Sequence, residues 1–260
     1  MFREFHYQAR GHGHAQNGTR GQDRTAYLSR GGVQALCLAD GAGSALHSEH
    51  GAEALVQEGC RLLTERFTDL VTSEDGLQVK LDILQHLRDR LKEIAGHREW
   101  ELKDLAATFL AVAVSGSRFV IVHVGDGVIG FMRNGELRVA SGPDNSEFAN
   151  QTTFVTSEDA TARMRLFRGS LDGVSGFVLM SDGTAWSLYN SRTKELAPAC
   201  AKLIALLGSA PTRQVNNPAH KKDLRRFINT RVRGATKDDC SIGILGRRLV
   251  TAPEGSQPES

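Results

Sequence analysis

The apolar residues in the first half of the chain follow two periods, which predict strands first and helices second. Short apolar or alternating runs at residues 2–8, 25–28 and 34–39 predict three strands that lead into a glycine-rich turn. Apolar residues at 55–70, and again at 77–94, recur every three or four positions. This spacing predicts two long helices, each with one apolar stripe.

The second half of the chain returns to strand signals. Residues 109–114 and 119–124 are β-rich runs separated by a short polar turn, and a run at 128–132 meets Asn134-Gly135 before returning through 137–139, so we predict an antiparallel meander. A polar, irregular stretch follows at 141–172, then a buried strand at 177–180, helical segments near 196–207 and 224–232, and a closing strand at 241–245. This grouping predicts an α+β layered sandwich.

The composition limits the possible functions and partners. The 260 residues carry 32 Lys and Arg against 30 Asp and Glu, a net charge of +2, which excludes binding to nucleic acid or membrane through a strong overall field. Neither a membrane-length apolar run nor the apolar core of a secretion signal is present, so we expect a soluble cytoplasmic protein. We predict one domain over residues 1–250 and a disordered polar tail at 251–260.

Acidic residues follow or precede buried strands at several points. Asp40, Asp126 and Asp182 each stand directly before a glycine, soon after an apolar run. Asp-Gly is also a common turn dipeptide, so any one of the three fits an ordinary turn equally well. Two further acidic positions, Asp23 and the pair Asp238-Asp239, precede predicted strands and would reach sheet edges from distant parts of the chain.

Carboxylates gathered at one place require a cation. Two unit charges about 4 Å apart repel by about 4 kcal/mol at an effective dielectric constant of about 20. Oxygen ligands without paired His or Cys favour Mg²⁺ or Mn²⁺. Two such ions lower the pKa of a bridging water and hold a phosphoryl group for in-line attack. Because no motif for a protein nucleophile or a P-loop is present, the residues favour hydrolysis by activated water.

In this order and spacing, the motifs resemble those of the metal-dependent Ser/Thr protein phosphatases of the 2C type, in particular the compact bacterial branch. The resemblance covers nearly the whole chain and implies a four-layer α-β-β-α sandwich, in which two antiparallel sheets are flanked by helix pairs and the metals bind at one end. The motifs are His14-Ala15-Gln16-Asn17-Gly18 before Gln22-Asp23; Ala39-Asp40-Gly41-Ala42-Gly43-Ser44 with Gly51-Ala52; Ala107-Thr108; Val124-Gly125-Asp126; Ser181-Asp182-Gly183; and Asp238-Asp239-Cys240-Ser241.

The resemblance also implies roles for individual residues. Asp40 corresponds to the carboxylate that bridges two metal ions beside the Gly41 carbonyl, and Asp182 and Asp238 correspond to ligands of one of them. Asp239 remains the alternative to Asp238. Asp23 corresponds to an acid that orients a water on the metals, and such outer partners tune metal affinity about 10- to 100-fold.

The sequence departs from the broader family at four positions. Gln22 replaces a common Glu, and its uncharged amide oxygen predicts a weaker second metal. Ala42 replaces a His proposed to protonate the leaving alcohol, so His14 is our candidate for that acid or for a phosphate contact, with Arg20 as a second phosphate contact. Asp126 resembles a ligand of a third metal, but Trp186 and Ser187 stand where its second acid is usual, so we expect two ions.

The segment 144–171 falls where the family has a flap beside the metals. By this analogy, four of its residues are expected to help admit the substrate: Thr152, Thr153, Phe154 and Arg163.

These features predict a cytoplasmic phosphoprotein phosphatase that hydrolyses phosphoserine and phosphothreonine with Mn²⁺ or Mg²⁺. Its expected partners are phosphorylated proteins, and a cognate Ser/Thr kinase is a further possible partner. The alternative is a regulatory or binding module that kept the fold but lost turnover through Gln22 and Ala42. A basic cluster at 220–226 with Arg231 and Arg233 would support nucleic-acid binding, but it is more typical of a solvated helix face.

Overall fold

Two antiparallel sheets form the centre of the computed structural model, which describes residues 1–143, 152–210 and 218–249. The strands are β1 (Arg3–Ala9), β2 (Arg24–Arg30), β3 (Val33–Ala39), β4 (Phe109–Ser115), β5 (Arg118–Val124), β6 (Val128–Arg133), β7 (Glu136–Ser141), β8 (Arg165–Ser170), β9 (Val174–Met180), β10 (Tyr189–Asn190), β11 (Glu195–Leu196) and β12 (Cys240–Gly246). One sheet has the order β1-β12-β9-β6-β7 and the other β2-β3-β4-β5-β8, while β10 and β11 form a small hairpin.

Helices cover the outer face of each sheet. The helices are α1 (His12–Gln16), which buries no residue, α2 (Ser48–Glu65), α3 (Phe67–Thr72), α4 (Gly76–Arg98), α5 (Ala160–Arg163), α6 (Asp182–Leu188), α7 (Pro198–Ser209) and α8 (Pro218–Phe227), with 3-10 turns at Leu102–Leu105 and Arg233–Ala235 and a π-helical turn at Ile228–Val232. Helix α2 packs on β2 and β3, and α4 packs on α2, whereas α7 packs on β9 and β12 of the other sheet. The α+β class and the four-layer sandwich are therefore confirmed.

Strand β3 shows how the layers are built from the sequence. Leu36 and Leu38 point into the core between the two sheets, while Ala35, Cys37 and Ala39 face the helix layer. Successive side chains of a strand alternate between its faces, so a continuous apolar run fits a strand buried on both sides. The small side chains lie on the helix side, where they allow α2 to approach the sheet closely.

Three local expectations were wrong. The strands β4 to β7 do not form one meander, because β4-β5 belongs to one sheet and β6-β7 to the other. Between them the chain passes Gly125, whose φ is 119°, a conformation that favours glycine. The predicted helix at 55–70 is divided at Arg66 into α2 and α3, and the polar stretch at 141–172 contains α5 and β8.

Further expectations concern the chain as a whole. The single domain over residues 1–250 stays a prediction, and the tail at 251–260 lies outside the described residues. Of the helices in the described ranges, none is long and apolar enough to cross a membrane.

Candidate functional site

The register of the second sheet brings two of the predicted carboxylates together. Arg24 at the start of β2 pairs with Ala39 at the end of β3, so Asp23 and Asp40, the next residues outward, emerge at the same sheet end. Asp40 lies within hydrogen-bonding reach of Asp23 and also of Asp182. The antiparallel pairing of two strands thus accounts for the meeting of residues that are 17 positions apart in the sequence.

The other sheet delivers Asp182 and the pair Asp238-Asp239 to the same end. Strand β9 ends at Met180, which pairs with Ile242 of β12, and the Ser181 amide donates to the Ser241 carbonyl at 3.2 Å. Asp182 begins α6 directly after β9, while Asp238 and Asp239 directly precede β12. The charges of Asp126 and Asp238 both act on Asp182, which places these acids near one another.

The backbone of Asp40 is held in place by Thr108. The Thr108 amide donates to the Asp40 carbonyl at 2.8 Å, and the Asp40 amide donates to the Thr108 hydroxyl at 2.9 Å. The Ala42 amide donates to the Ala106 carbonyl at 2.9 Å. The Ala107-Thr108 motif is therefore a clamp that fixes the direction in which Asp40 leaves the sheet.

The glycines that follow the three aspartates are required for close packing and not for a turn. A Cβ atom on Gly41 would lie 2.8 Å from the Ser48 Cβ, and one on Gly127 would lie 2.6 Å from the Met180 carbonyl oxygen. A Cβ atom on Gly183 would collide with the Asp239 carbonyl oxygen. The φ angles of these three glycines are not in the left-handed region. These glycines are therefore explained by the close approach of a neighbour and not by a left-handed turn, although Asp126-Gly127 does lie in the short connection between β5 and β6.

The carboxylates are strongly perturbed by their surroundings. Burial, and then the charges of Asp23 and Asp182, raise the pKa of Asp40 well above its ordinary value. Burial also raises the pKa of Asp23 to about 7 and that of Asp182 to about 6, although a hydrogen bond with Asp40 opposes each shift. Asp23 is only 3% exposed, and its interactions with Asp40 and with the Ser181 and Ser241 hydroxyls lower its pKa but fall short of good hydrogen-bond geometry within the described residues.

This group of oxygens fits a hard divalent cation by its chemistry. Repelling carboxylates with raised pKa values gain most from a cation, and two uncharged oxygen donors lie nearby, the carbonyl of Gly41, which follows Asp40, and the Gln22 Oε1 atom, which lies near Gly43. Among the described residues no three His, Cys, Asp or Glu side chains already surround a common point as a complete metal site. Asp40 nevertheless lies near both Asp23 and Asp182, whose charges act on it.

The adjacent residues Asp238 and Asp239 have different surroundings. Asp239 is buried, and its carboxylate accepts hydrogen bonds from the backbone amide of Gly11 at 2.6 Å and from the backbone amide of Gln22 at 2.5 Å. Burial opposes the shift, but these hydrogen bonds and one from His14 lower the pKa of Asp239. Asp238 is exposed and accepts from the Asp239 amide at 2.8 Å. The oxygens of Asp239 are thus occupied, which leaves Asp238 as the acid available to an ion.

The structural role of Asp239 was not predicted from the sequence. It connects α1, the segment before β2 and the start of β12 through hydrogen bonds to residues far apart in the chain. The only sequence signal was the doubled acid before the last strand, which leaves the roles of Asp238 and Asp239 undivided.

His14 lies on α1 and is fixed by Asp239. Its Nδ1 atom lies 2.9 Å from an Asp239 carboxylate oxygen, and its side chain is 25% exposed. Nε2 is therefore the ring nitrogen that remains for another partner.

The side chain of Gln22 is fixed by Ser48. Its Nε2 atom donates to the Ser48 hydroxyl at 2.8 Å, which leaves its Oε1 atom available as an acceptor.

Arg20 lines a cavity of about 470 Å³ next to Asp23 and Asp239. We call it the arginine cavity, because Arg10, Arg20 and Arg24 all line it. Arg24 forms an ion pair with Glu53 at 3.1 Å, and Arg10 donates to the His14 carbonyl at 2.8 Å. Within the described residues Arg20 has no hydrogen bond or ion pair, so its guanidinium is the one of the three left to bind an anion.

A second cavity, of about 770 Å³, reaches Asp126 and Asp182 from another direction. We call it the tryptophan groove, after Trp186, which is 76% exposed. The Asp126 carboxylate accepts a hydrogen bond from Thr152 at 2.6 Å. The groove is lined by Asp126, Pro143, Asp182, Ala185, Trp186, Ser187, Tyr189, Asn190, Ser191, Glu195, Leu196, Ala197 and Pro198.

The predicted flap residues are only partly brought to the site. Thr152 contacts Asp126, but the Phe154 amide bonds to Ser157 and Arg163 pairs with Asp159 at 3.2 Å. Thr153 has no described contact with the acids, and residues 144–151 of this segment lie outside the described residues.

A further cavity of about 580 Å³ between α2 and α4 is lined by none of the candidate residues.

Comparisons with known proteins point to one family. The family model described as Protein phosphatase 2C matches residues 10–229. The chain is 32% identical over 132 residues to Serine/threonine-protein phosphatase 3 of Escherichia coli (strain K12), an alignment that covers 50% of this chain and 51% of that protein. The chain therefore spans about half the length of this curated relative.

Solved structures share the fold. A bacterial serine phosphatase superposes with a TM-score of 0.66 at 14% identity, over 97% of this chain and all of the other. The catalytic domain of the serine threonine protein phosphatase PstP, crystallised with two manganese ions, superposes with a TM-score of 0.62 at 20% identity, over 94% of this chain and 97% of the other. At these identities the likeness concerns the fold alone.

Proposed function

Because the chain belongs to the protein phosphatase 2C family, we propose that it is a metal-dependent phosphatase that hydrolyses phosphoserine and phosphothreonine in proteins. The observation that carries the proposal is the meeting of Asp23, Asp40 and Asp182 at one end of the two sheets, with raised pKa values. Perturbed titratable groups that converge in this way are typical of catalytic sites. The E. coli relative is named as a serine/threonine phosphatase, which agrees with this substrate class.

The metal ligands in this proposal are the side chains of Asp40, Asp182 and Asp238 with the Gly41 carbonyl, and the Gln22 amide oxygen is a weaker donor. The manganese ions of PstP support Mn²⁺ or Mg²⁺ as the ions, and we expect two of them. When bound, such ions neutralise the carboxylates, lower the pKa of water and polarise the phosphoryl group. Asp126 is available to a third, weaker ion, but Thr152 already occupies one of its oxygens.

The remaining residues position water and phosphate. Asp23 is buried beside Asp40, and the nearby Ser181 and Ser241 hydroxyls form no hydrogen bond of good geometry with its oxygens, so it is placed to accept a proton or a hydrogen bond from the attacking water. Arg20 binds the phosphate from the arginine cavity. His14, held through Nδ1, offers Nε2 to the phosphate or to the leaving oxygen, while Ala42 offers no proton.

The test is phosphate release from a phosphoserine peptide and from p-nitrophenyl phosphate, with Mn²⁺, Mg²⁺ or a chelator. We expect release only with a divalent ion, and a loss of roughly a hundredfold or more in Asp40→Asn, since even residues outside the metal's ligand shell are worth about 10- to 100-fold. Asp89→Asn, the same change at an exposed position of α4, should retain activity. Release in the presence of chelator, or full activity of Asp40→Asn, would contradict the proposal.

The same experiment separates the regulatory-module alternative. Two observations favour it: Gln22 is bonded to Ser48, and Ala42 carries no acid. A module of this kind would bind the phosphopeptide with Mn²⁺ but release no phosphate. Nucleic-acid binding has less support, because Lys221 pairs with Glu4 at 2.8 Å and Arg225 lies 5.6 Å above the Tyr7 ring, so both cations already have partners.

A further inference from the structure

The tryptophan groove combines an exposed aromatic ring with charged side chains that are all acidic. Trp186 is a large apolar side chain with 76% of its surface exposed, at the edge of a cavity of about 770 Å³. The acids that line the groove are Asp126, Asp182 and Glu195, whereas no Lys, Arg or His in the described residues lines it. A groove with these walls is complementary to a cation that carries an apolar stem.

Glu195 differs from the other two acids in the groove because it is not one of the proposed metal ligands. Asp182 belongs to the carboxylate cluster, and the charge of Asp126 acts on it. Glu195 lies on the β10-β11 hairpin, is exposed, and forms no ion pair with any described residue. Arg192 and Lys194 lie on the same hairpin but do not line the groove. A ligand cation would therefore find an unpaired carboxylate there.

The spacing between Asp182 and Trp186 on α6 indicates which part of a substrate would supply such a cation. Trp186 lies four residues after Asp182 on α6, about 6 Å along the helix axis at about 1.5 Å per residue. An extended peptide advances about 3.3 Å per residue. A phosphoserine at Asp182 would thus place a side chain about two residues away beside Trp186.

From these observations we propose that Trp186 and Glu195 form a subsite for an arginine or lysine that flanks the phosphorylated residue of the substrate. The cation stacks on the Trp186 ring and pairs with the Glu195 carboxylate, while the phosphate is held at the carboxylate cluster. This inference rests on the proposed phosphatase function and specifies its substrates as phosphoproteins with a basic residue within about three positions of the phosphoserine.

The experiment compares kcat/KM for phosphoserine peptides that carry alanine at every position from −4 to +4 with peptides that carry one arginine at each position in turn. We expect about a tenfold preference for arginine at one position within three residues of the phosphoserine. In Glu195→Gln and in Trp186→Ala the ratio of arginine to alanine peptide should fall to about threefold or less, as each contact is removed. Glu195→Lys should abolish the preference.

Two controls isolate the subsite. Glu74→Gln makes the same change at an exposed position before α4, in the helix layer of the other sheet, and should keep the preference. Each variant is also measured with p-nitrophenyl phosphate, which has no flanking residue, and the peptide rates are normalised to it. Because Glu195 is exposed on a short hairpin, Glu195→Gln keeps the test valid even if Trp186→Ala fails to fold.

The outcomes separate this inference from the proposed function. If the unaltered protein hydrolyses p-nitrophenyl phosphate with Mn²⁺ but shows no preference for arginine at any position, the subsite is refuted while the phosphatase function stands. A preference that survives unchanged in both Glu195→Gln and Trp186→Ala also refutes it. If no substrate is hydrolysed with Mn²⁺, both the function and the subsite are refuted.

Discussion

The arginine cavity and the tryptophan groove are both lined by members of the same carboxylate cluster, but they differ in the charge of their other residues and in their volume. The arginine cavity is lined by three arginines, two of which are already bonded within the protein, and by the buried acids Asp23 and Asp239. The tryptophan groove is larger, at about 770 Å³ against about 470 Å³, and its charged residues are acids. Asp40 lies near both Asp23, which lines the arginine cavity, and Asp182, which lines the tryptophan groove.

This difference shows how a chain with a net charge of only +2 separates two kinds of recognition. An anion is attracted to the cavity that holds Arg20, whereas a cationic flanking residue is attracted to the groove that holds Glu195. The charge balance of the whole chain is uninformative here, because the unpaired charge offered to a ligand is a cation, Arg20, in one cavity and an acid, Glu195, in the other.

The largest effect on stability is expected on the arginine-cavity side. Asp239→Ala removes a buried acceptor of backbone hydrogen bonds and of His14, and should lower the free energy of unfolding by about 3 kcal/mol. Asp238→Ala, its neighbour, should change stability little because Asp238 is exposed. Thermal unfolding of both variants with chelator measures the difference, and equal effects would contradict the distinct roles assigned to the two acids.

The cluster between the two cavities should make stability depend on pH. Asp23 and Asp182 have pKa values of about 7 and about 6 in the folded protein, against an ordinary value of 3.8. Between about pH 4 and pH 7 the metal-free folded protein therefore binds more protons than the unfolded chain, and the free energy of unfolding falls as pH rises. The lowered pKa of Asp239 acts in the opposite direction, with stability lost on acidification below its ordinary value.

Thermal unfolding at a series of pH values, with chelator and with Mn²⁺, measures this dependence. Without metal, Tm should fall from pH 5 to pH 7.5, and Asp23→Asn should flatten the decline. At a hundredfold excess over its Kd, Mn²⁺ should add about 2.7 kcal/mol at pH 7.5, roughly 5 to 10 °C in Tm, and less at pH 5 because protons compete with the metal. A metal-free Tm that rises from pH 5 to pH 7.5 would contradict the raised pKa values of Asp23 and Asp182.

A smaller effect is expected from Arg20. Arg20→Ala should raise KM for a phosphoserine peptide roughly three- to tenfold, the value of one charge-assisted hydrogen bond at an exposed site. Arg30→Ala, which removes an exposed arginine paired with Glu65, should leave KM unchanged. If both variants behave alike in steady-state kinetics, the arginine cavity is not the phosphate side of the centre.

Much of the fold followed from the sequence because its signals are local. The alternation that buries Leu36 and Leu38 and the three- to four-residue spacing of the long helices correctly predicted the strand β3 and the helices α2 and α4. The assignment of β6-β7 to the other sheet was missed, since a hairpin signal specifies pairing within the hairpin but not the sheet that it joins. The break at Arg66 was missed for a similar reason, because the apolar period continues across it.

The candidate site was predictable in its residue types but not in all its contacts. Strand ends that carry Asp40 and Asp182 were visible in the sequence, and the sheet register explains their meeting. The different roles of Asp238 and Asp239 depend on hydrogen bonds from Gly11, His14 and Gln22, more than 200 positions away. Likewise, the groove formed by Trp186 and Glu195 exists only after β10 and β11 pair.

The most direct test of the carboxylate cluster is the binding of Mn²⁺ to the chelator-treated protein by isothermal titration calorimetry. A metal-binding carboxylate cluster predicts two bound ions in the unaltered protein, an affinity weakened by roughly a hundredfold or more in Asp40→Asn, and unchanged binding in Asp89→Asn. Binding of Mn²⁺ to Asp40→Asn with the same stoichiometry and affinity as to the unaltered protein would contradict it.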